Sequence, residues 1–312
     1  MKAVTVHEFG GAEVLHLEEV AKPVPAANEV LIEVHASSLN PIDTKSISKD
    51  SHYKSAIHFP ITPGLDVAGV IEMVGADIKN LQVGDRVFGQ ASVLHDGSGA
   101  FAEYAVTPED CIAQMPANIS FTEAAALPLA ACSAYQAIHH YMQLKTGQKI
   151  MIHGGSGGIG SIAIQLAKNE GAKVYATASG EGIGFVKSLG ADHVIDYTRE
   201  TFDKKVKDCD AVLDTIGGET YRRSFRVLKP GGIVVSMLSQ PDEALMEQYG
   251  VRAVLEMTRI DRKTLSQIAS LIEEGALQIH IARTYSLADT PRAYRAKEEE
   301  KILGKIAIEV RP

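Results

Sequence analysis

Residues 149–177, KIMIHGGSGGIGSIAIQLAKNEGAKVYAT, decide the fold of this chain. The apolar run at 149–153 predicts a buried parallel strand, and the glycines of Gly155-x-Gly157-x-x-Gly160 predict a tight turn. Apolar residues then recur along one side of a predicted helix, and a second strand is predicted at 173–177. A glycine motif alone is a weak signal, but this one has the strand before it and the helix after it that a dinucleotide-binding turn requires. The alternative is a glycine-rich turn before an ordinary helix.

The glycine turn predicts a phosphate site, because a backbone without Cβ atoms lets a pyrophosphate approach the amides at a helix N-terminus. The helix dipole favours negative charge at the same point. The last glycine of the motif would also let the helix pack closely against the strand. The cofactor-binding candidates in the turn are Ser156, Gly157, Gly158, Ile159 and Gly160.

Strand and helix signals continue to alternate beyond the turn, which predicts a doubly wound parallel sheet of the Rossmann type in an α/β fold. The predicted strands are 194–196, 211–215 and 233–238, and the predicted helices are 184–189 and 220–228. Ligands of such sheets bind at the carboxyl ends of the strands. That rule adds four cofactor-binding candidates, Thr215, Gly217, Met237 and Ser239.

The end of the second strand bears on the choice of nucleotide. Enzymes that use NAD usually place an Asp or Glu against the ribose 2′-hydroxyl about twenty residues after the glycine turn. This strand ends Ala176-Thr177-Ala178-Ser179, with no carboxylate to repel a 2′-phosphate and with a hydroxyl on Ser179 that could bind one. The sequence therefore favours NADPH. NADH stays possible because Glu181 lies two residues on and the next basic residue is Lys187.

Length and composition indicate a two-domain enzyme. The chain has 312 residues, 45% of them hydrophobic, which is ample for two cores. A net charge of −8 makes a nucleic-acid-binding surface unexpected. The three cysteines lie far apart in the sequence, which fits a reducing compartment. The chain shows no signal-peptide core and no apolar run long enough to span a bilayer. We therefore expect a cytoplasmic protein that does not bind membranes.

The sequence pattern of residues 1–120 differs from that of the predicted nucleotide-binding half. Short strand-like runs at 29–35, 67–74, 86–89 and 101–106 alternate with turns, which is typical of a compact β domain. Helical patterns follow at 121–137, 263–274 and 289–299, with strands predicted at 279–281 and 305–310. The apolar C-terminal strand needs a sheet to join, and we expect it to complete the N-terminal β domain. The predicted domains are 1–120 plus 263–312 for substrate and 121–262 for the dinucleotide.

Several segments resemble the medium-chain dehydrogenase/reductase superfamily, and in particular its zinc-free quinone oxidoreductase branch. The markers are Pro63-Gly64-Leu65-Asp66-Val67-Ala68-Gly69, Gly84-Asp85-Arg86-Val87, the HGGSGGIG turn and the terminal GKIAIEV. Asn40-Pro41-Ile42-Asp43-Thr44-Lys45 is more similar to the 2-alkenal and enone reductase members. The resemblance covers nearly the whole chain. It implies a GroES-like, β-barrel-type N-terminal domain completed by the C-terminal segment, and a homodimer.

The resemblance also implies an enzyme without zinc. Zinc-dependent members supply a Cys where this chain has Leu39-Asn40 and a His-Glu pair where it has Leu65-Asp66, and they carry a four-cysteine lobe that is missing here. Leu65 cannot coordinate a metal, and catalytic zinc needs about three protein ligands. We therefore expect no metal site, and we expect Asp66 to hold a turn rather than to contact ligands.

Chemistry without a metal rests on the nicotinamide and on residues that position the substrate. By resemblance, Asn40 contacts the nicotinamide ribose or a substrate oxygen, Ser133 binds the nicotinamide end, and Lys45 could stabilise an enolate. Tyr197 resembles the family's phosphate-contacting Tyr, and Lys305 of the terminal segment is a further cofactor-binding candidate. The plainer alternatives are a solvated Lys45 and a Tyr197 that only packs.

Two functions from different classes remain open at this point. The first is NADPH-dependent, zinc-independent reduction of quinones or α,β-unsaturated carbonyls by hydride transfer. The second is a non-catalytic NADPH-binding redox sensor or partner-binding module. A pocket lined by Ile47, Phe59 or Leu94 would favour the enzyme.

Overall fold

A computed structural model describes residues 1–311 of the chain. Within them, fifteen strands and ten α-helices are distributed over two compact units. The first unit contains Met1–Leu129, Ile260–Gly275 and the described residues from Ile279 onward. The second contains Ala130–Arg259 and Ala276–Gln278. Among residues 1–311, every helix is too short or too polar to cross a bilayer.

The strands are β1 Lys2–Thr5, β2 His16–Glu19, β3 Glu29–Leu39, β4 Asp66–Val74, β5 Arg86–Gln90, β6 Tyr104–Pro108, β7 Ile112–Gln114, β8 Lys149–Ile152, β9 Lys173–Ala178, β10 His193–Asp196, β11 Cys209–Asp214, β12 Leu228–Ser236, β13 Arg252–Leu255, β14 Ile281–Ser286 and β15 Lys305–Glu309.

The α-helices are α1 Pro41–Ile47, α2 Phe121–Ala125, α3 Pro128–Tyr135, α4 Gly158–Asn169, α5 Gly182–Ser188, α6 Phe202–Lys205, α7 Gly218–Ser224, α8 Glu243–Tyr249, α9 Arg262–Glu273 and α10 Thr290–Glu299. A π-helix, Gln136–Met142, continues directly from α3.

The second unit is built on one parallel six-stranded sheet in the order β10-β9-β8-β11-β12-β13. This confirms the doubly wound α/β sheet that the sequence predicts. Most residues of the interior strands are buried, as expected where helices cover both faces of a parallel sheet. The edge strand β13 was not predicted, because its four residues follow Gly250 without a clear alternating pattern.

The first unit is built on a seven-stranded sheet that is mainly antiparallel, in the order β14-β15-β3-β4-β5-β7 with β6 paired to β3. The C-terminal strand β15 pairs antiparallel with β3, with Ile306 opposite Leu39. The N-terminal β domain is therefore completed by the C-terminal segment, as predicted. Phe101, Tyr294 and Ile308 lie in one core cluster, so the N-terminal region and the C-terminal region of this unit share a hydrophobic core.

Several predicted elements and one predicted domain boundary differ from the structure. The strand predicted at 279–281 only begins at Ile281 and runs to Ser286, because its register is set by pairing with β15. The single helical stretch predicted at 121–137 is divided into α2, α3 and the start of the π-helix. Phe121 belongs to the first unit, where it stacks on His35, although residues 121–262 were assigned to the dinucleotide domain.

Candidate active site

The glycine turn lies between β8 and α4, as the sequence predicts. Gly154 adopts a φ of +69°, a backbone conformation that favours glycine. The amide of Gly155 donates to the Thr177 carbonyl at 3.0 Å, which ties the turn to the end of β9. Gly157 is the N-cap residue of α4. Because glycine has no side chain, no side-chain cap binds the first amides of this helix. Such a helix N-terminus suits a phosphate group.

The glycines of this turn are required for different reasons. A Cβ on Gly160 would collide with the backbone of Gly154 and Gly155, so the fold itself requires glycine there. A Cβ on Gly157 would meet only the Gly154 oxygen, at 3.4 Å, which is an ordinary van der Waals contact. The protein therefore leaves space beside Gly157 that it does not need for its own packing. This space fits the approach of a nucleotide phosphate to the half-buried residues Ser156, Gly158 and Ile159.

The two residues predicted to contact the adenosine ribose and its phosphate are brought together. Ser179 follows β9 and Tyr197 follows the neighbouring strand β10, and the Ser179 hydroxyl donates to the Tyr197 phenol oxygen at 2.8 Å. The Tyr197 side chain is 54% exposed, so it is open to a ligand. Ala178, in contrast, is buried, and Glu181 is exposed. The pair supplies two hydroxyls at the strand ends, and the carboxylate of Asp196 ends β10 beside them.

The carboxyl ends of β11 and β12 are joined by the buried carboxylate of Asp214. It accepts from the Ser236 hydroxyl at 2.7 Å and from the Gly217 amide at 3.0 Å. Thr215 donates to the His153 carbonyl at 2.9 Å, which links this edge to β8. These bonds fix the backbone beside the remaining cofactor-binding candidates. Thr215, Met237 and Ser239 are half-buried, and Gly217 is buried with a φ of +76°.

His153 precedes the turn but serves the fold. It is 1% exposed, and its ring packs edge-on against Phe202 at a centroid distance of 4.5 Å. Its Nε2 lies 3.1 Å from the Ser224 hydroxyl. Burial lowers the pKa of His153 to about 4. The imidazole is therefore neutral at physiological pH and joins the sheet to α7.

In the first unit, Asn40, Asp66 and Lys305 form a buried polar cluster. Asp66 is fully buried and accepts from the Asn40 Nδ2 at 2.7 Å, from the Ser38 hydroxyl at 2.6 Å and from the Leu129 amide at 2.9 Å. Lys305 donates to the Asn40 Oδ1 and lies 3.4 Å from Asp66. Asp66 thus holds structure, as expected from the sequence.

This cluster constrains the roles of Asn40 and Lys305. Both ends of the Asn40 amide already have protein partners, and its side chain is only 3% exposed. Lys305 is 4% exposed and holds the Asn40 oxygen in place. Each amide end retains capacity for one more hydrogen bond. The contacts predicted for Asn40 and Lys305 with nicotinamide, ribose or substrate stay predictions.

Helix α1 presents Asp43 and Lys45 to different surroundings. Asp43 is buried and accepts from the Asn40 backbone amide at 2.7 Å. Burial raises the pKa of Asp43 to about 7, and the nearby Asp66 adds to the increase. Lys45 lies exposed in the last turn, and its ammonium makes no hydrogen bond or ion pair within residues 1–311. Lys45 is therefore a solvent-facing cation in the last turn of α1, and its enolate role stays a prediction.

Ile47, Phe59 and Leu94, the residues whose presence in a pocket would favour an enzyme, lie in different surroundings. Ile47 is fully buried in the core of the first unit, because the helical turn of α1 places it inside. Phe59 packs against the same core and makes an edge contact with Phe9 at 4.7 Å. Leu94 does line a small cavity. The other residues lining that cavity include Ile42, Asp43, Ser46, Ile61 and Ser92.

Ser133 lies on α3 in the second unit and is 1% exposed. Its hydroxyl is 2.6 Å from that of Thr258, which in turn donates to the Glu256 carboxylate at 2.7 Å. Neither Thr258 nor Glu256 was predicted from the sequence. They follow β13, so recognising that strand would have placed them at the carboxyl edge of the sheet, where ligands bind.

Metal ligands do not converge in the part of the chain that the structure covers. Among residues 1–311, no three His, Cys, Asp or Glu side chains are grouped so that they could hold a metal ion. Leu65, where zinc-dependent proteins would place a ligand, is buried at 3% exposure. Zinc independence stays a prediction for a measurement on the purified protein.

Comparisons with known proteins match both units. Residues 26–117 match the family model described as alcohol dehydrogenase GroES-like domain, and residues 189–308 match the one described as zinc-binding dehydrogenase. Quinone oxidoreductase of Mus musculus is 32% identical over 94% of this chain and 93% of that protein. The chloroplastic NADPH-dependent alkenal/one oxidoreductase of Arabidopsis thaliana is 39% identical over 76% of this chain and 62% of that protein. The solved structure of Escherichia coli quinone oxidoreductase complexed with NADPH superposes with a TM-score of 0.89 and 27% identity, covering 99% of this chain and 100% of the other.

Proposed function

Because this chain belongs to the quinone oxidoreductase family of the medium-chain dehydrogenase/reductase superfamily, we propose that it is an NADPH-dependent reductase of quinones or α,β-unsaturated carbonyls. The observation that carries the proposal is the glycine turn before α4. That turn has a helix N-terminus without a side-chain cap and free space beside Gly157 that the fold does not use. The name of the plant relative supports NADPH as the reductant.

The second unit would hold the nucleotide through three groups of residues. The turn from Ser156 to Gly160 would donate backbone amides to the pyrophosphate. Ser179 and Tyr197 would bind the phosphate of the adenosine ribose, and their mutual hydrogen bond fixes both hydroxyls in advance. Thr215, Gly217, Met237 and Ser239 would line the path of the nicotinamide half. When bound, the reduced nicotinamide supplies the hydride that the substrate receives.

The protein's own contribution to the reaction would be orientation and charge stabilisation. Asn40 is held rigid by Asp66 and Lys305, so its amide can orient a ligand with little loss of side-chain entropy. Lys45 would stabilise the negative charge that develops on a carbonyl oxygen during reduction. Ser133 would contact the reacting end through its hydroxyl. A quinone or conjugated enone suits this set, because the anion formed on reduction is delocalised and does not need a metal.

Preference for NADPH over NADH rests on the end of β9, where Ala178-Ser179 carries no acidic side chain. A carboxylate at the end of β9 would repel a 2′-phosphate, whereas the uncharged hydroxyls of Ser179 and Tyr197 would not. Glu181 is exposed and two residues removed, and it is the group that would reverse this preference. The homodimer and the cytoplasmic location expected from the sequence stay predictions beside this proposal.

The experiment that tests the proposal is a measurement of NADPH and NADH consumption with a simple quinone and with an open-chain enone. We expect acceptor-dependent consumption that is faster with NADPH, because β9 ends in Ala178-Ser179 without a carboxylate to repel the 2′-phosphate. Activity should survive prolonged dialysis against a metal chelator. Tight NADPH binding without consumption by any acceptor would instead indicate a redox sensor or partner-binding module.

A further inference from the structure

Glu256 is a buried acid that the proposed mechanism does not yet use. It follows β13 in the second unit, and its side chain is 3% exposed. The Thr258 hydroxyl lies 2.7 Å from one carboxyl oxygen, Oε2, whereas the other, Oε1, has no hydrogen-bond partner in the described structure. Buried acidic groups normally have every oxygen satisfied. The missing hydrogen-bond partner of the Glu256 Oε1 therefore requires a physical explanation.

The charge state supplies part of that explanation. A carboxylate anion that is removed from water with one oxygen unpaired is strongly disfavoured, whereas a neutral carboxylic acid tolerates the same environment better. Burial raises the pKa of Glu256 to about 7, and the hydrogen bond from Thr258 opposes this increase. Glu256 is thus an acid that carries its proton up to neutral pH.

A second hydrogen bond connects Thr258, the partner of Glu256, to Ser133. Thr258 Oγ1 lies 2.6 Å from the Ser133 hydroxyl, so three side chains form an unbroken series of short hydrogen bonds. Either hydroxyl can be the donor in the Ser133–Thr258 bond. When Glu256 is protonated, each group can donate to the next one toward Ser133. When Glu256 is ionised, each hydroxyl turns to donate toward Glu256.

Gln136 fixes the position of the segment that carries Thr258. It is the first residue of the π-helix that follows α3, and its side chain binds the backbone of Arg259 twice. Its Nε2 donates to the Arg259 carbonyl at 2.5 Å, and its Oε1 accepts from the Arg259 amide at 3.1 Å. The clamp fixes the segment that carries Thr258 beside the helix that carries Ser133. π-Helical turns are found mostly at functional sites.

We propose that Glu256, Thr258 and Ser133 form a proton relay that delivers a proton to the oxygen of the reduced substrate. The inference rests on the proposed function, because it takes Ser133 to be the residue that meets the reacting end. It deepens that function by naming the internal acid. Glu256 acts through two hydroxyls, so it is a positioning and proton-storing residue that does not touch the substrate.

Reduction of an enone requires one hydride at the β-carbon and one proton at the carbonyl oxygen. A C–H bond forms at the β-carbon with the hydride and electron pair from NADPH, the C=C bond shifts, and the carbonyl oxygen becomes an enolate oxygen. Ser133 gives its proton to that oxygen, Thr258 gives its proton to Ser133, and Glu256 gives its proton to Thr258. The product is a neutral enol that becomes the saturated ketone, NADP⁺ remains, and the Glu256 carboxylate regains a proton from solvent. A quinone oxygen would be protonated by the same transfers.

Glu256→Gln tests the relay because the amide keeps the shape and the hydrogen bond to Thr258 but has no proton to release. We expect kcat well below pH 7 to fall by about tenfold, less than the usual contribution of a general acid because the Ser133 hydroxyl remains. Wild-type kcat should decrease as the pH rises through the Glu256 pKa of about 7. The variant should lack this decrease, so the kcat values of the two proteins should become equal above pH 7.

Substitutions at Thr258 separate a relay from a merely structural role. Thr258→Val removes the connecting hydroxyl at nearly constant volume and should reproduce the loss of the pH step, whereas Thr258→Ser should restore the step. Glu247→Gln, at an exposed glutamate of α8, is the matched control and should leave the pH profile unchanged. A Glu256→Gln profile parallel to that of the wild type would overturn the relay.

The protonation state can also be read without activity. Infrared difference spectra between wild type and Glu256→Gln, recorded without NADPH or substrate, should show the C=O stretch of a protonated carboxylic acid below pH 7. That band should give way to carboxylate bands above pH 7. Carboxylate bands throughout would refute the relay even in an inactive protein. Failure of the proposed function itself would appear differently, as no consumption of NADPH with any acceptor.

Discussion

Gly157→Val is expected to weaken NADPH binding by about 100-fold, or about 2.8 kcal/mol, and to leave the protein folded. Gly157 has φ −82° and ψ 178°, a conformation that any L-residue adopts, and an added Cβ meets only the Gly154 oxygen at 3.4 Å. The fold therefore has room for a Cβ at this position. The valine would fill the space through which a pyrophosphate reaches the first amides of α4. Calorimetric titration with NADPH measures the effect directly.

Two further glycine substitutions serve as controls for this result. Gly184→Ala, in α5 of the same unit, adds a Cβ that meets nothing within 4 Å and should leave NADPH affinity unchanged. Gly160→Ala should lower the melting temperature, because its Cβ collides with the backbone of the turn. A folded Gly157→Val protein that binds NADPH as tightly as wild type would show that the phosphates do not lie at this turn.

Lys45→Met is expected to reduce kcat for an enone by about 10²-fold, the lower end for loss of one oxyanion-stabilising donor. The substitution keeps most of the side-chain length and removes the charge. Lys45 is exposed in the last turn of α1 and makes no ion pair within residues 1–311, so its loss should not disturb packing. Charge develops on the enolate oxygen only as the substrate is reduced, so the effect should appear in kcat rather than KM. Quinone reduction should decrease less, because its product anion is more delocalised.

The matched control for this substitution is Lys49→Met, at an exposed lysine just beyond the same helix. It changes the net charge equally and should leave both reactions unchanged. Equal and small losses for Lys45→Met on both substrates would identify Lys45 as a solvated lysine. Reduction would then proceed without a cation at the oxygen.

The sequence predicted the parallel sheet of the second unit well, because its strands are continuous apolar runs that follow strong turn signals. It also predicted that β15 joins the N-terminal sheet, since an apolar terminal strand cannot remain unpaired. The edge strand β13 and the π-helix that begins at Gln136 were not predicted from the sequence. A four-residue edge strand has too few positions for a periodic signal, and a π-helix has the composition of an ordinary helix.

Within the candidate site, local motifs were easier to predict than long-range contacts. The glycine turn follows from its strand–turn–helix motif, Ser179 from the residues that end β9, and Tyr197 from the family resemblance. The hydrogen bond between Ser179 and Tyr197 was not predicted. The bond between Asn40 and Lys305 joins residues far apart in the chain and depends on the pairing of β15 with β3. Ile47 was one of three residues whose presence in a pocket would have favoured an enzyme, but the helical turn of α1 places it in the core. Glu256 gave no motif signal, because its role depends on burial and on Thr258.

Transfer of a labelled hydrogen tests the central claim most directly. The protein would be supplied with NADPH that carries deuterium at the transferred position of C4 and with an open-chain enone, and the product would be analysed by mass spectrometry and NMR. The account predicts a saturated ketone with deuterium at the β-carbon and a solvent-derived hydrogen at the α-carbon. Bound NADPH with neither the enone nor a quinone reduced, or a product without deuterium, would contradict it.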